Sequence, residues 1–419
     1  MFDSLLKRGF FDATSHKDLC SQSSLRFYIG FDPTADSLHL GHLVGIMAVN
    51  WLCRLGHEAF IIIGGATGRI GDPSGKSLER PLLTHAEIEE NVKKIGEQIQ
   101  KILPQEYGRL YHIVNNNEWW SSMSVVDFLR DIGKSFRLGP MLAKETVKQR
   151  LNSDEGISFT EFSYQILQSY DFYYLWKNHG VNLQIGGSDQ WGNITAGIEF
   201  IRKKEGTSVY GATFPLLTRS DGKKFGKSEG GAVWLDADKY SVFNFYQYLL
   251  RIPDADVIKL MKMLTLMTDE EISDFENRML LDDYEPNSAQ KRLAEEVTRF
   301  VHKQEGLDRA LKATEGLMPQ LDVELSVETL KEIAHIIPHV ELLKEEIIGA
   351  KITDVAVKIG LATSKGEASR LIKNGGAYLN NLKILDPYYS IRESDAMGNT
   401  YLLFAAGKKK KILLILKAI

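Results

Sequence analysis

The 419-residue chain has only two cysteines, Cys20 and Cys53, outside any CxxC or Cys/His cluster. That scarcity argues against a disulfide framework and a zinc site, and it fits a reducing cytoplasm. No apolar run reaches the ~20 residues that span a bilayer, so no membrane partner is expected. The opening MFDSLLKRGFF lacks the apolar core and cleavage site of a secretory leader. Excess charge of one sign is also missing overall, with 51 Lys and Arg against 55 Asp and Glu, a net of −4. That balance hides an asymmetry. Residues 350–419 carry 12 basic and 5 acidic side chains, a net of +7, which leaves −11 on the first 349 residues. A basic module on an acidic body points to a polyanion partner for that module. The remaining composition, 43% hydrophobic and 25% charged, is that of an ordinary globular protein long enough for two or three domains.

What is present begins with LRFYIGFDPTADSLHLGH, Leu25 to His42. Its aromatic and branched residues predict a strand over 25–31, followed by a Pro-containing turn and a helix over 41–55. His39 and His42, three apart, would share one helix face. A helix start presents unpaired N–H groups to phosphate, and Gly41 lets a flat base lie on the backbone. Tyr28, on the strand, would project a phenol beside the phosphates. Further strands are predicted in AFIIIGG, GRLYHIVNNNEWW and VNLQIGG. A helix opened by the Thr84/Glu87 capping box lies between the first two. Strands alternating with helices predict an α/β, Rossmann-like doubly wound parallel sheet, with nucleotide at the carboxyl edge.

Nearly two hundred residues downstream, RSDGKKFGKSEGG carries KFGKS, Lys224 to Ser228, in a Gly- and Lys-rich stretch that predicts a mobile, phosphate-seeking loop. HLGH and KFGKS together match the signature pair of class I aminoacyl-tRNA synthetases. GGATGRIGDPSGK, GISFTEFSYQILQSYDF and LQIGGSDQWGN extend the match, and essentially the whole chain resembles the bacterial-type tyrosyl-tRNA synthetases. The class pattern has Met and Ser inside the lysine motif where this chain has Phe225 and Gly226. Ile29 stands where relatives often have Cys, which trims one ribose contact.

The resemblance implies tyrosine–tRNA ligation: tyrosine and ATP give tyrosyl-adenylate and pyrophosphate, then tyrosine moves to the terminal adenosine of tRNA(Tyr). The tyrosine carboxylate is already a nucleophile, so the site needs alignment and charge stabilisation instead of a triad. By resemblance the catalytic set is His39, His42 and Thr34 on the phosphates, with Lys224, Lys227, Lys76 and Arg80 on the departing pyrophosphate. ATP would also meet Asp32 and Gly41, with Gly187 and Asp189 at the ribose; an Asp capping the next helix is a compatible structural role. Tyr28 and Asp171 would meet the phenolic hydroxyl, Asp72, Tyr164 and Gln168 the α-ammonium, with Gln190 nearby. Tyr164, Gln168 and Asp171 are spaced four and three apart, a polar stripe on one helix face where a structural stripe would be apolar. Groups built to pair with the hydroxyl reject phenylalanine because it leaves them unpaired, an argument for which tyrosyl-tRNA synthetase is itself the standard example. Mg²⁺ is expected to arrive with ATP; no protein cage of carboxylates is apparent, so no resident metal is expected.

The expected organisation is a catalytic domain over 1–223, interrupted by a helical insertion over about 123–170, then the KFGKS region over 224–239. An α-helical domain over 240–318 follows, then a linker over 319–349. The last domain, over 350–419, resembles the ribosomal S-four-type α+β RNA-binding fold, with Lys358, Lys365, Arg370 and Lys373 as tRNA contacts. Phe128, Phe136, Phe159 and Phe162 of the insertion are expected in the core. In the resembling family this region makes a symmetric contact, so a homodimer is expected. Three other readings compete: a related nucleotidyltransferase, a tryptophan-specific synthetase, and a non-catalytic RNA-binding protein. The first needs no KFGKS loop, the second no pair of hydroxyl partners, and the third none of the His, Lys and Asp sets.

Overall fold

A computed structural model describes residues 2–74, 83–220, 222, 225–228, 231–317, 326–334, 337–407 and 410–417. The chain divides into two compact units, residues 1–240 with 250–301, and residues 241–249 with 302–419.

The first unit is built on a six-stranded sheet. Its strands are β1 (Ala13–Thr14), β2 (Arg26–Phe31), β3 (Glu58–Ile63), β4 (Tyr111–Asn115), β5 (Leu183–Gly187) and β6 (Tyr210–Phe214), in the order β1-β6-β5-β2-β3-β4. All neighbours are parallel except β1 with β6. The doubly wound expectation holds. The winding runs outward from β2 through β3 to β4, then restarts at β5 on β2's other side, so the carboxyl ends of β2 and β5 form the switch-point crevice. β3 and β5 are almost wholly buried, as near-continuous apolar runs covered on both faces should be. The helix His85–Ile102 opens on Thr84 and Glu87, which exchange the two predicted capping bonds at 3.3 and 2.8 Å.

One expectation is corrected here, that for Phe159. Residues 125–151 form several short helical turns, and Phe159, expected in the core, is 77% exposed at the start of the long helix Phe159–His179. The helical stretch after residue 240 is four helices, Val242–Leu250, Asp254–Leu264, Asp269–Arg278 and Ser288–Gly316. Thr268 ends one run and caps the next, its hydroxyl accepting from Glu271 N at 3.2 Å. The last helix breaks at Lys303, whose φ of 62° is left-handed.

The second unit carries a mixed five-stranded sheet of β9 (His339–Leu343), β10 (Ala377–Leu379), β11 (Leu382–Lys383), β12 (Tyr401–Ala406) and β13 (Lys410–Lys417). Its order is β11-β10-β12-β13-β9, with only β13 and β9 parallel. The apolar run ILLIL, 412–416, thus lies in an inner strand of the sheet. Helices Ile352–Lys358 and Lys365–Lys373 bury Ile352, Val355, Ala368 and Ile372 in a core shared with Leu402, Phe404 and Leu414.

Candidate active site

Four strand ends deliver the polar side chains. β2 runs into Asp32, Thr34 and HLGH, and β3 into Gly64, Thr67 and Asp72. β4 leads to Asn116, Trp119 and Trp120, and β5 to Asp189 and Gln190.

HLGH is not the opening turn of an α-helix. Leu40–His42 is a 3₁₀ turn, and the α-helix starts at Leu43. Instead of projecting side by side from one helix face, the two imidazoles stack, with centroids 3.8 Å apart and planes 15° from parallel. His39 N donates to His42 Nδ1 at 3.2 Å, and Gly41 N to His39 Nδ1 at 3.1 Å. The cause lies in the strand that follows KFGKS. Leu40 N donates to Val233 O at 2.8 Å, Leu235 N donates to Leu38 O at 2.9 Å, and His39 bridges Trp234. This ladder holds residues 38–40 extended, so the turn must be made within three residues.

The same ladder brings the second signature motif in. β7 (Lys227–Ser228) and β8 (Gly231–Ala232) pair as a small hairpin, closed by Val233 N donating to Gly226 O at 2.9 Å. Gly226 has φ +81°, and a Cβ there would stand 3.1 Å from Gly41 N. Backbone therefore meets backbone between HLGH and KFGKS, with Lys227 exposed beside the contact. Lys224, Lys76 and Arg80 lie outside the described residues.

A separate hydrogen-bonded network joins seven side chains. Tyr164 Oη donates to Asp32 Oδ2 at 2.7 Å, and Thr67 Oγ1 to Asp32 Oδ1 at 2.8 Å. Asn116 Nδ2 donates to Thr67 Oγ1 at 2.9 Å and to Asp171 Oδ2 at 3.0 Å. Asp171 Oδ1 accepts both indoles, Trp119 at 2.7 Å and Trp120 at 2.8 Å. Burial pushes the Asp171 carboxyl up to about 6, against the opposing pull of those three donors and with help from the Asp32 charge. Tyr28 is buried, packs on Phe172 and donates to Gln168 O at 3.4 Å. Its hydroxyl thus joins this pocket and leaves the expected place beside the phosphates. Burial, then the Asp171 charge, holds the Tyr28 phenol well above its usual value. Burial does the same to Tyr164, followed by Asp32, Asp72 and Asp171.

A second network fixes the amide groups. Gln190 Nε2 donates to Asp72 Oδ2 at 2.7 Å, and Gln168 Nε2 to Gln190 Oε1 at 3.3 Å. Asn193 Nδ2 donates to Gln168 Oε1 at 3.0 Å and to Ser74 Oγ at 3.3 Å. At the end of β5, a Cβ on Gly187 would fall 2.6 Å from Asp189 Oδ1, so glycine is needed for that carboxylate to lie back on the strand. The helix Trp191–Glu205 has Gln190, not Asp189, at its N-cap position.

The structure thus gathers Tyr28, Asp32, Asp72, Tyr164, Gln168, Asp171 and Gln190 in one pocket, and His39, Gly41, His42 and Lys227 at its neighbouring edge. Thr34 is exposed on the turn between. Sequence reasoning missed Thr67, Ser74, Asn116, Trp119, Trp120 and Asn193; the polar run NNNEWW after a strand was the available signal for three of them. Gly64 completes the pocket, since a Cβ there would sit 2.1 Å from Asp32 Oδ1 and 2.3 Å from Thr67 Oγ1. Gly64→Ala should cost about 1–3 kcal/mol in urea unfolding and raise the KM for tyrosine; an unperturbed melt would refute this packing.

In the second unit, Lys358 pairs with Glu346 at 2.8 Å and Lys365 with Asp354 at 2.9 Å, while Arg370 and Lys373 are exposed.

The two histidines and the lysine hairpin meet beyond the carboxyl end of β2, at the edge where open α/β sheets bind their ligands. A family model for class I tRNA synthetases (W and Y) matches residues 21–318, and the chain belongs to that family. A model of the tyrosine–tRNA ligase SYY-like C-terminal domain matches residues 329–414. The tyrosine–tRNA ligase of Protochlamydia amoebophila is 51% identical over 99% of this chain and 98% of its own length. The chloroplastic/mitochondrial tyrosine–tRNA ligase of Arabidopsis thaliana is 48% identical over 98% of this chain and 82% of its own. Among solved structures, a C-terminally truncated mitochondrial tyrosyl-tRNA synthetase of Aspergillus nidulans superposes with a TM-score of 0.66 at 32% identity. It covers 75% of this chain and 93% of its own. The activity is tyrosine–tRNA ligation, with tyrosine, ATP and tRNA as substrates.

Proposed function

We propose that the crevice activates tyrosine by aligning its carboxylate with the α-phosphate of ATP, the chain supplying charge and position but no covalent nucleophile. The observation that carries this reading is the 38–40/233–235 ladder, which holds the two signature motifs against each other. His39, His42 and Thr34 meet the phosphates. Lys227, with Lys224, Lys76 and Arg80, draws off pyrophosphate. Asp189 and Gly187 hold the ribose, and Gly41 accepts the base.

Tyr28 and Asp171 receive the phenolic hydroxyl, while Asp72, Tyr164, Gln168 and Gln190 surround the α-ammonium. Asp32 was expected to serve ATP; its bonds to Tyr164 and Thr67 support a share in the ammonium site as well. ATP–pyrophosphate exchange with each of the twenty amino acids tests the scheme: tyrosine alone should stimulate it, and equal stimulation by phenylalanine would overturn the pocket assignment.

Mg²⁺ enters with the ATP phosphates. Among the described residues no cluster of three or more His, Cys, Asp or Glu could hold a metal of its own. Lys358, Lys365, Arg370 and Lys373 contact tRNA, a reading supported by the +7 charge of their module. Val125, Val126, Leu138 and Phe159, between 65% and 77% exposed, support a homodimer formed through the insertion. Sedimentation at micromolar concentration should give twice the 47.3 kDa chain mass, and a monomer would overturn it. Low cysteine supports a cytoplasmic location. Among the described residues, no helix is long and apolar enough to cross a membrane.

A further inference from the structure

The basic module has a cleft of which the roles above use one residue, Lys365. Its volume is about 340 Å³, and it lies between the two short helices and the turn at Asp386–Tyr388. Lys351, Asp354, Lys365, Ser369 and Pro387 line it, and Tyr388 stands at its mouth with 75% of its surface exposed. An aromatic ring this exposed contributes little to the core. Nor is it a loose loop tip. Tyr388 N donates to Asp386 Oδ1 at 2.9 Å, Ile352 N donates to Tyr389 O at 2.8 Å, and Lys351 bridges Ser390. The ring is therefore presented on backbone fixed to the start of the helix Ile352–Lys358.

The surrounding charges favour an anion that carries a flat group. Lys351 Nζ lies 5.8 Å from the Tyr388 ring centroid, and Lys365 Nζ lies 2.9 Å from Asp354 Oδ1. With two ammonium groups against one carboxylate, the cleft has a net charge of +1. Ser369 adds a hydroxyl able to donate or accept. An exposed aromatic face beside lysines on a rigid frame is the equipment for an unpaired nucleotide: the base stacks, and the phosphate takes the ammonium groups. A paired helix has no free base face to offer the ring.

We propose that this cleft binds an unpaired nucleotide of the tRNA substrate, with the base on Tyr388 and the adjoining phosphate on Lys351 and Lys365. The proposal rests on the reading of residues 350–419 as a tRNA-binding module and adds a subsite to it. Asp354 acts against binding, because phosphate must displace it from Lys365.

The test uses the full-length protein and measures aminoacylation KM for tRNA(Tyr), with ATP–pyrophosphate exchange as the control. Tyr388→Ala should raise that KM about tenfold, the scale of one lost base–aromatic stack, while Tyr388→Phe leaves it close to wild type. Lys351→Ala should raise it too and make it less steeply dependent on salt. Asp354→Asn should lower it. Exchange should be unchanged in all four variants. If Tyr388→Ala is silent while Arg370→Ala raises the KM, the subsite is wrong and the module reading stands. If both are silent, the module reading fails with it. AMP that raises the KM for tRNA in the wild type but not in Tyr388→Ala would reassign the cleft to a mononucleotide, whereas inhibition by AMP that is equal in both belongs to the catalytic crevice and leaves the Tyr388→Ala loss as support for the tRNA assignment.

Discussion

Replacing Lys227 with Ala should slow tyrosyl-adenylate formation by about 10²–10³ while leaving tyrosine affinity nearly unchanged. The ammonium lies on the hairpin whose backbone meets Gly41, outside the hydrogen-bonded chain proposed to hold the amino acid. In the proposed role its charge matters most when negative charge builds on the departing pyrophosphate, so its contribution belongs to the transition state and not to the bound ground state. Single-turnover adenylate formation and equilibrium tyrosine titration separate the two. Equal losses in both would refute the assignment.

Asp171→Ala should do the reverse, damaging tyrosine affinity and selectivity more than ATP binding. The carboxylate is almost fully buried and is the shared acceptor for Asn116, Trp119 and Trp120. Its removal takes the acceptor from the substrate hydroxyl, a loss of about 1–3 kcal/mol or roughly 5–150-fold in tyrosine binding. The three orphaned donors add a stability loss that a melt would register separately. Unchanged preference for tyrosine over phenylalanine would refute the role. The pH dependence carries opposite signs for the two properties. Asp171 titrates at about 6 in the fold and near 3.8 when unfolded, so the folded state binds the extra proton between those values. Its contribution to stability is fully present below about 3.8 and is lost as pH rises through about 6. The proposed contact with the substrate hydroxyl needs the carboxylate, so the KM for tyrosine should rise as pH falls through about 6. A flat kcat/KM profile between pH 5 and 7.5 would refute this titration.

Much of the site was legible because its residues sit in long local patterns. β2, β3 and β5 appear as apolar runs ending in glycine or turn residues, and the stripe Tyr164, Gln168, Asp171 follows from helical spacing alone. The Thr84/Glu87 cap was visible for the same reason. What stayed hidden depends on partners distant in sequence. Trp119 and Trp120 read as apolar bulk, and only the fold aims both indole N–H groups at one oxygen 51 and 52 residues away. Helical spacing gave the wrong geometry for His39 and His42, because a strand almost two hundred residues later fixes the backbone before the helix begins. Phe159 failed as a core residue because it is the first residue of its helix, and Glu161, two positions on and so across the helix, is the one buried.

The ladder between 38–40 and 233–235 also limits where a cation can wander. Lys227 is one residue, about 4 Å of chain, from Gly226, whose carbonyl accepts from Val233 N at 2.9 Å at the open end of the hairpin. So short a tether keeps the ammonium beside the HLGH backbone, and in the role proposed for it the capture of a triphosphate becomes an intramolecular event at a local concentration in the millimolar range or above. Lengthening the segment between Gly226 and Val233 with glycines should therefore dilute the charge and erode activation gradually, even with every side chain intact.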